Sequence, residues 1–268
     1  MNTQSLYTLS PLPEADVPAL NHDFILERDK VQHFLVSALA KINSPNLVFK
    51  GGTLLRVCIF ENYRFSEDLD FDWTSTAEEF SNIMEQAATL ASRKSGYFLE
   101  FPLDRKANRQ VFRWDAGEIS GNIKIDKIIV NKNAIPPVNN WHINGLWDTN
   151  HSKQTICGYS LSSIIADKLR AVVNRSEPRD IYDLYHIMQT PKDIAQGLAR
   201  YNKNPRDPRR PDVKSPVLRQ LASHILNKHN DYMLEWPKFT ESGLVEKIVS
   251  LDTALLYICE TIDNYIQT

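Results

Sequence analysis

The chain has 268 residues, with 31 Lys and Arg against 33 Asp and Glu, which gives a formal net charge of −2. Hydrophobic residues make up 42% and charged residues 24%, which excludes a wholly disordered chain and predicts one large globular domain or two smaller ones. The charge excludes a general polycation, but it leaves room for a local basic patch that binds nucleic acid.

The cysteines and the apolar segments bear on the cellular compartment. Three dispersed cysteines exclude a disulfide framework and a cysteine-type zinc site. No stretch approaches the roughly 20 apolar residues of a membrane helix. The first residues lack the basic and apolar regions of a signal peptide. We therefore expect a reduced, cytoplasmic protein without a membrane partner.

The first third of the chain alternates between helical and strand patterns. Residues 1–21 carry three prolines and predict an irregular arm, and a helical pattern runs from Asp23 to a stop at Ser44-Pro45-Asn46. A short apolar strand at 47–49, a glycine turn and a helical stretch follow. The alternation in DLDFDW, residues 68–73, then predicts a strand with aspartates on one face and apolar side chains on the other.

The rest of the chain changes from strands to helices. We predict an α+β fold with a mixed sheet, and two domains, 1–158 and 159–268. In chain order, the patterns predict a helix at 76–95, strands at 97–101, 110–114 and 121–130, loop or edge structure over 131–158, helices at 161–175 and 179–188, an aperiodic segment at 200–216, and helices at about 216–235 and 241–265.

Two aspartates carry the first chemical signal. Asp68 and Asp70 share one face of the predicted strand, with Cα atoms roughly 6.5–7 Å apart. Carboxylates at this spacing can hold divalent cations, and a pair of such ions can clamp the oxygens of a phosphoryl transfer. An Asp-x-Asp pair alone is common, and a solvated strand face or a strand-end turn accounts for it more often than a metal site does.

The glycine turn before this strand carries the second signal. Gly51 and Gly52 let the backbone approach a phosphate, and amides at a helix start donate to anions. Thr53 either adds a hydroxyl or caps the helix. The spacing excludes a P-loop and a dinucleotide fingerprint. A lone Gly-Gly is more often only a turn.

Four motifs together resemble the AbiEii/MenT family of nucleotidyltransferase toxins, which have a polymerase-β-like nucleotidyltransferase core. The resemblance spans about residues 25–190. Its motifs are Gly51-Gly52-Thr53-Leu54; Arg64, Ser66 and Asp68-Leu69-Asp70-Phe71; Ala166-Asp167-Lys168-Leu169 with Arg175; and Arg179-Asp180-Ile181-Tyr182-Asp183-Leu184.

The resemblance implies a Mg²⁺- or Mn²⁺-dependent transfer of a nucleotide from an NTP to RNA, with the tRNA 3′ end as the expected acceptor. It implies an antitoxin partner and a helical C-terminal domain that completes the active site. Asp68, Asp70 and Asp126 would form the metal site. Asp126 lies on a predicted strand, where this enzyme class places a carboxylate that binds metal or accepts a proton. An ordinary strand aspartate is the alternative.

Several further residues have a chemical and a structural interpretation. Lys168 lies on an apolar helix stripe, where it either snorkels to solvent at the end of the stripe or needs a partner or a function. The resemblance assigns it to the triphosphate. Asp180 suits a helix start, and the resemblance places it near the active site. We expect Asp183 to pair with an arginine. Arg64 either holds a phosphate or braces its turn, and Ser66 either joins it or bonds the backbone.

A basic run at 200–214 is a candidate RNA contact. It has six basic residues, two acidic residues and three prolines. Arg206, Arg209 and Arg210 would contact RNA phosphates, unless the run is only a solvated loop.

Two other functions stay open from the sequence. One is a nucleotidyltransferase that modifies a small molecule or a protein hydroxyl. The other is a catalytically inactive protein that binds nucleotide or RNA.

Overall fold

The computed structural model describes residues 19–101, 109–204, 216–241, Val245 and 249–267. These residues divide into two compact units, one ending at Tyr159 and the other beginning at Ser160, with Val245 grouped with the first. No helix in these ranges is long and apolar enough to cross a membrane.

The first unit is built on one mixed sheet. Its strand order is β3-β4-β5-β2-β1-β7-β6; the β1–β7 and β2–β5 pairs are parallel and the others antiparallel. The sheet and the helices of the second unit confirm the predicted α+β class. The strands are β1 (Leu47–Lys50), β2 (Asp68–Trp73), β3 (Phe98–Glu100), β4 (Arg109–Asp115), β5 (Ser120–Ile129), β6 (Val138–His142) and β7 (Thr155–Tyr159).

Two helices cover the apolar face of this sheet. Helix α1 (Ala19–Ile42) packs beside a second helix, Ala77–Ser95, whose Phe80 ring lies 5.5 Å from Trp73 and 6.2 Å from Phe71. Leu69, Phe71 and Trp73 are fully buried. The alternation of β2 therefore directs its aspartates to the opposite face, as predicted.

The connection between β1 and β2 is largely buried, with Glu61, Asn62 and Glu67 exposed. A short helix α2 (Gly51–Leu54) continues directly into a π-helical turn, Leu55–Ile59. The second covering helix, Ala77–Ser95, is α3; the Thr76 side chain caps its start and Gly96, at φ +77°, ends it.

A buried ion pair fixes the route of that connection. Arg56, in the π-helical turn, makes two hydrogen bonds to Asp29 of α1, at 3.1 and 3.2 Å, and also donates to the Tyr63 carbonyl. Trp147 donates to the same aspartate at 2.8 Å. The Arg56 guanidinium also lies over the Phe65 ring. These contacts determine where the chain enters β2.

The second unit is helical in the part that the structure describes. Helix α4 buries its apolar stripe, and Lys228 donates to the Val172 and Val173 carbonyls at its C-terminal end, both at 2.9 Å. The helices are α4 (Leu161–Asn174), α5 (Pro178–Ile187), α6 (Pro191–Lys203), α7 (Leu218–Asn227), α8 (His229–Glu241) and α9 (Leu251–Gln267).

Several element predictions need correction. The segment 131–158, predicted as loop or edge structure, contributes β6 at the edge and the start of β7, which lies inside the sheet between β1 and β6. Helix α6 was not predicted, and 200–203 form its last turn. The helix predicted at 216–235 is split into α7 and α8. The predicted arm, except 19–21 in α1, and residues 205–215 of the aperiodic segment lie outside the described residues.

We expect Arg56→Met to lower the free energy of unfolding by about 3–5 kcal/mol, because it leaves the Asp29 carboxylate buried without its main partner. Arg113→Met is the control, since the Arg113–Glu100 pair is exposed and 3.7 Å apart. Urea denaturation of both variants measures the difference. Equal stability of the two variants would contradict the structural role of the buried pair.

Candidate active site

Gly51 lies in the turn after β1, directly against the Asp70 carboxylate. Its φ is +82°, in the left-handed region, and a Cβ atom there would collide with the Asp70 carboxylate. Both facts require glycine at this position. The Asp70 carboxylate is therefore packed against the bare backbone of the turn.

Gly52 and Thr53 join the same turn to the next predicted motif. A Cβ atom on Gly52 would lie 2.6 Å from Arg64 Nη2 and 3.1 Å from Ser66 Oγ. The Thr53 hydroxyl donates to the Asp68 carbonyl, and Arg64 Nη1 donates to the Phe65 carbonyl at 3.0 Å. The fold thus brings the first two sequence motifs into contact. Thr53 ties the glycine turn to β2, and Arg64 braces its own segment while its guanidinium lies beside Gly52.

The three carboxylates assigned to a metal come from two adjacent strands. Asp70 and Asp126 are Cα partners in the parallel β2–β5 ladder, and Asp68 lies on the same face opposite Lys124. All three are partly exposed. Lys127 points to the other face, where it is buried over the Phe80 ring at 4.9 Å. Its charge therefore does not lie beside the Asp126 carboxylate.

The chemistry of this donor set fits a hard divalent cation. Carboxylate oxygens are the ligands that Mg²⁺ prefers, and Mg²⁺ usually keeps waters and substrate phosphates besides one or two carboxylates. Within the described ranges, no group of three or more His, Cys, Asp or Glu side chains is already arranged to hold a metal ion. Asp70 and Asp126 are the two members of the donor set that the sheet pairs directly with each other.

The third aspartate of β2 is engaged elsewhere. Asp72 is buried, with 3% of its surface exposed, and accepts hydrogen bonds from Lys50 Nζ at 2.5 Å and from the Tyr159 hydroxyl. Neither Lys50 nor Tyr159 belongs to the residues for which the sequence predicts a role. Lys50 stands directly before the glycine turn, but Tyr159 is distant in sequence and left no signal.

The second unit holds a separate charge cluster. Lys168 on α4 lies 2.8 Å from Asp180 and 2.6 Å from Asp183, both fully buried on α5. Arg175 donates to Asp180 at 2.7 and 3.0 Å. The buried lysine thus has two carboxylate partners, and Asp183 is one of them.

The electrostatics of Asp180 follow from these contacts. Burial by itself raises the pKa of this carboxyl, but Lys168 and Arg175 outweigh burial and bring the pKa below its ordinary value. Asp180 therefore favours its charged form.

The structure describes only residues 200–204 of the basic run. Arg206, Arg209 and Arg210 lie outside the described residues. Arg200, at the start of the run, belongs to α6 and donates to Ser162 Oγ at 3.3 Å.

Comparison with known proteins identifies the family. The family described as "Nucleotidyl transferase AbiEii toxin, Type IV TA system" matches residues 33–254. The chain belongs to this family. It is therefore a nucleotidyltransferase of the AbiEii type, and both the predicted family and the predicted enzyme class are confirmed.

Solved structures share the fold of this AbiEii-family chain. MenT4, a nucleotidyltransferase toxin from Mycobacterium tuberculosis H37Rv, has a TM-score of 0.61 and 18% identity, with 95% of this chain and 91% of that chain covered. JHP933 from Helicobacter pylori has a TM-score of 0.55 and 19% identity, with 94% of each chain covered. At these identities the likeness supports the fold alone. No curated protein matches the chain by sequence.

We expect Lys168→Met to lower the free energy of unfolding by about 3 kcal/mol at neutral pH, because two buried carboxylates lose their shared cation. Asp180 has a lowered pKa, so its charge stabilises the wild type above the ordinary aspartate pKa of 3.8, and this contribution is lost as the pH falls through the lower folded value. The gap between variant and wild type should therefore narrow in acid. Urea denaturation across pH measures it.

The control is Lys238→Met, which breaks an exposed pair with Glu235 in the same unit. An unchanged stability of Lys168→Met, together with a large loss of NTP affinity, would show that the ammonium serves the nucleotide and not the packing of α4 on α5.

Proposed function

We propose that this AbiEii-family enzyme is a Mg²⁺-dependent toxin that transfers a nucleoside monophosphate from an NTP to RNA, with the 3′ end of tRNA as the acceptor. The observation that carries the proposal is the contact between the Gly51 backbone and the Asp70 carboxylate. A turn that can receive phosphates is in contact with a side chain that can hold their counter-ion.

Asp68 and Asp70 would hold the cation, and Asp126 would either complete this metal site or act as the base. When bound, it supplies charge neutralisation at the triphosphate and orients the attacking and leaving oxygens. The chain itself contributes preorganised positions, because β2 and β5 fix Asp70 opposite Asp126 and the turn fixes the backbone against Asp70.

The reaction in this proposal is an in-line displacement at the α-phosphate. The acceptor hydroxyl forms a new P–O bond, the bond to pyrophosphate breaks, and the hydroxyl proton passes to a base. Asp126 is the candidate base, since it is partly exposed on the carboxylate face. Gly51, Gly52 and Arg64 would position the triphosphate, with Ser66 beside them.

The family resemblance is the only basis on which residues of the second unit enter this proposal. Lys168 is assigned there to the triphosphate and Asp180 to the neighbourhood of the reaction. In the structure the Lys168 ammonium lies 2.8 Å from Asp180 and 2.6 Å from Asp183, and these two contacts fix its position. A compact cation of this kind can neutralise phosphate charge.

The family places the enzyme in a toxin–antitoxin system, so an antitoxin is an expected partner. RNA as the acceptor is supported by the resemblance and by the basic run at 200–214. Blocked translation would follow if the modified acceptor is the tRNA 3′ end.

We expect Asp70→Asn to reduce nucleotide transfer by about three orders of magnitude, because it removes a charged ligand from the cation that stabilises the transition state. Transfer of label from an α-³²P-NTP to RNA measures the rate. The fold should persist, since Asp70 faces away from the apolar core of the sheet. Asp23→Asn, at an exposed position of α1, is the matched control. Near-normal turnover of folded Asp70→Asn would contradict the metal assignment.

The basic run yields a separate prediction. Replacing Arg206, Arg209 and Arg210 with Ala should weaken RNA binding and make the slope of log affinity against log salt shallower by about 2–3 units. The reason is that each phosphate contact made on binding releases about one counter-ion from the RNA, and the variant makes fewer such contacts. NTP binding should not change. Filter binding across salt concentrations measures the slope.

A control triple variant replaces the exposed Arg93, Arg113 and Lys153 with Ala and so removes the same formal charge. If both triple variants show the wild-type slope, the run is a solvated connector and does not contact RNA.

A further inference from the structure

Lys50 is the cation paired in register with Asp70, one of the proposed metal ligands. It is the Cα partner of Asp70 in the antiparallel β1–β2 ladder, so both side chains project from the same face of the sheet. Lys50 also directly precedes Gly51. An ammonium at this position has the reach to pair with Asp70.

The structure gives Lys50 a different partner. Its Nζ atom donates to Asp72, one step further along the same face of β2, and lies 5.7 Å from the centre of the Tyr159 ring. Tyr159 in turn donates its hydroxyl to Asp72. Three adjacent strands, β2, β1 and β7, therefore supply one carboxylate, one ammonium and one phenol to a single network.

The network is buried, which makes its charges costly. Lys50 is 6% exposed, Asp72 3% and Tyr159 5%. Burying two ions costs desolvation energy that their attraction only partly returns, and apolar residues of similar size often give equal or higher stability. Stability alone is thus a weak reason for these charges. Their position beside Asp70 points to an effect on the electrostatic potential at the carboxylate face of the sheet.

We propose that Asp72 is the counter-ion that holds the Lys50 ammonium away from Asp70, and that the pair thereby sets the affinity of the carboxylate face for a divalent cation. The inference rests on the proposed function, because it takes Asp70 as a metal ligand. Asp72 and Lys50 are positioning residues in this account, and neither touches the cation.

The test is titration of the full-length protein with Mn²⁺, followed by electron paramagnetic resonance of the free ion. Asp72→Asn should weaken Mn²⁺ binding about tenfold, because the released ammonium can then pair with Asp70. Lys50→Met should tighten binding severalfold, because it leaves an uncompensated carboxylate on the face. The double variant Lys50→Met/Asp72→Asn, which removes both charges, should return to within about twofold of the wild type.

Controls separate this effect from net charge and from folding. Lys94→Met and Asp148→Asn break another lysine–aspartate pair of the same unit, 2.7 Å apart, and should leave Mn²⁺ affinity unchanged. Thermal unfolding of each variant confirms that it is folded. If Lys50→Met does not fold, the comparison of Asp72→Asn with the double variant still tests the inference. These two proteins differ only in the Lys50 ammonium, so a difference in their Mn²⁺ affinity measures its effect.

Two results would overturn the inference. Unchanged Mn²⁺ affinity in folded Asp72→Asn would show that the pair is structural. Equal weakening in Asp72→Asn and in the double variant would make Asp72 itself a ligand. Asp70→Asn in the same titration tests the underlying assignment: if it binds Mn²⁺ like the wild type, the proposed metal site is wrong, whatever the Asp72 variants do.

Discussion

The close approach of the Asp70 carboxylate to the backbone of Gly51 is the constraint on which the candidate site depends. It requires a left-handed glycine after β1 and an aspartate on the adjacent strand at the paired position, and the β2–β5 ladder then places Asp126 beside Asp70. The Arg56–Asp29 pair and the Thr53 hydroxyl hold the connection between β1 and β2 in the shape that permits this approach. The apolar face of the same strands, packed under α1 and α3, supplies the rigidity.

Buried ion pairs lie next to the segments that carry the candidate functional residues, or include those residues. Arg56 with Asp29 precedes the Asp-x-Asp strand, Lys50 with Asp72 flanks it, and Lys168 is shared between Asp180 and Asp183. Each pair keeps a charge in a fixed position at an energetic cost that apolar packing would avoid. We interpret the last two as positioned charges for phosphate and cation chemistry, and the first as a brace for the chain that carries Arg64 and Ser66.

Local signals made much of the first unit predictable, whereas pairings over long sequence distances did not. The alternation in DLDFDW and the Gly-Gly-Thr turn are properties of a few adjacent residues, so the faces of β2 and the turn before it followed directly. Strand β7 was missed because five residues carry little periodicity and its position depends on parallel pairing with β1, about a hundred residues earlier. For the same reason no local pattern links Tyr159 to Asp72, and the partners of Lys168 depend on how α5 packs against α4. The assignment of site residues to metal and nucleotide stays a prediction.

The most direct test of the account is the identity of the labelled product. The full-length protein is incubated with Mg²⁺, each α-³²P-labelled NTP in turn, and a mixture of total RNA, protein and small metabolites. We predict that at least one NTP places label on RNA, at the 3′ end of tRNA, with one pyrophosphate released for each nucleotide added. Label found only on protein or on a small molecule would contradict the RNA acceptor, and absence of both label and pyrophosphate with all four NTPs would contradict catalysis by this chain.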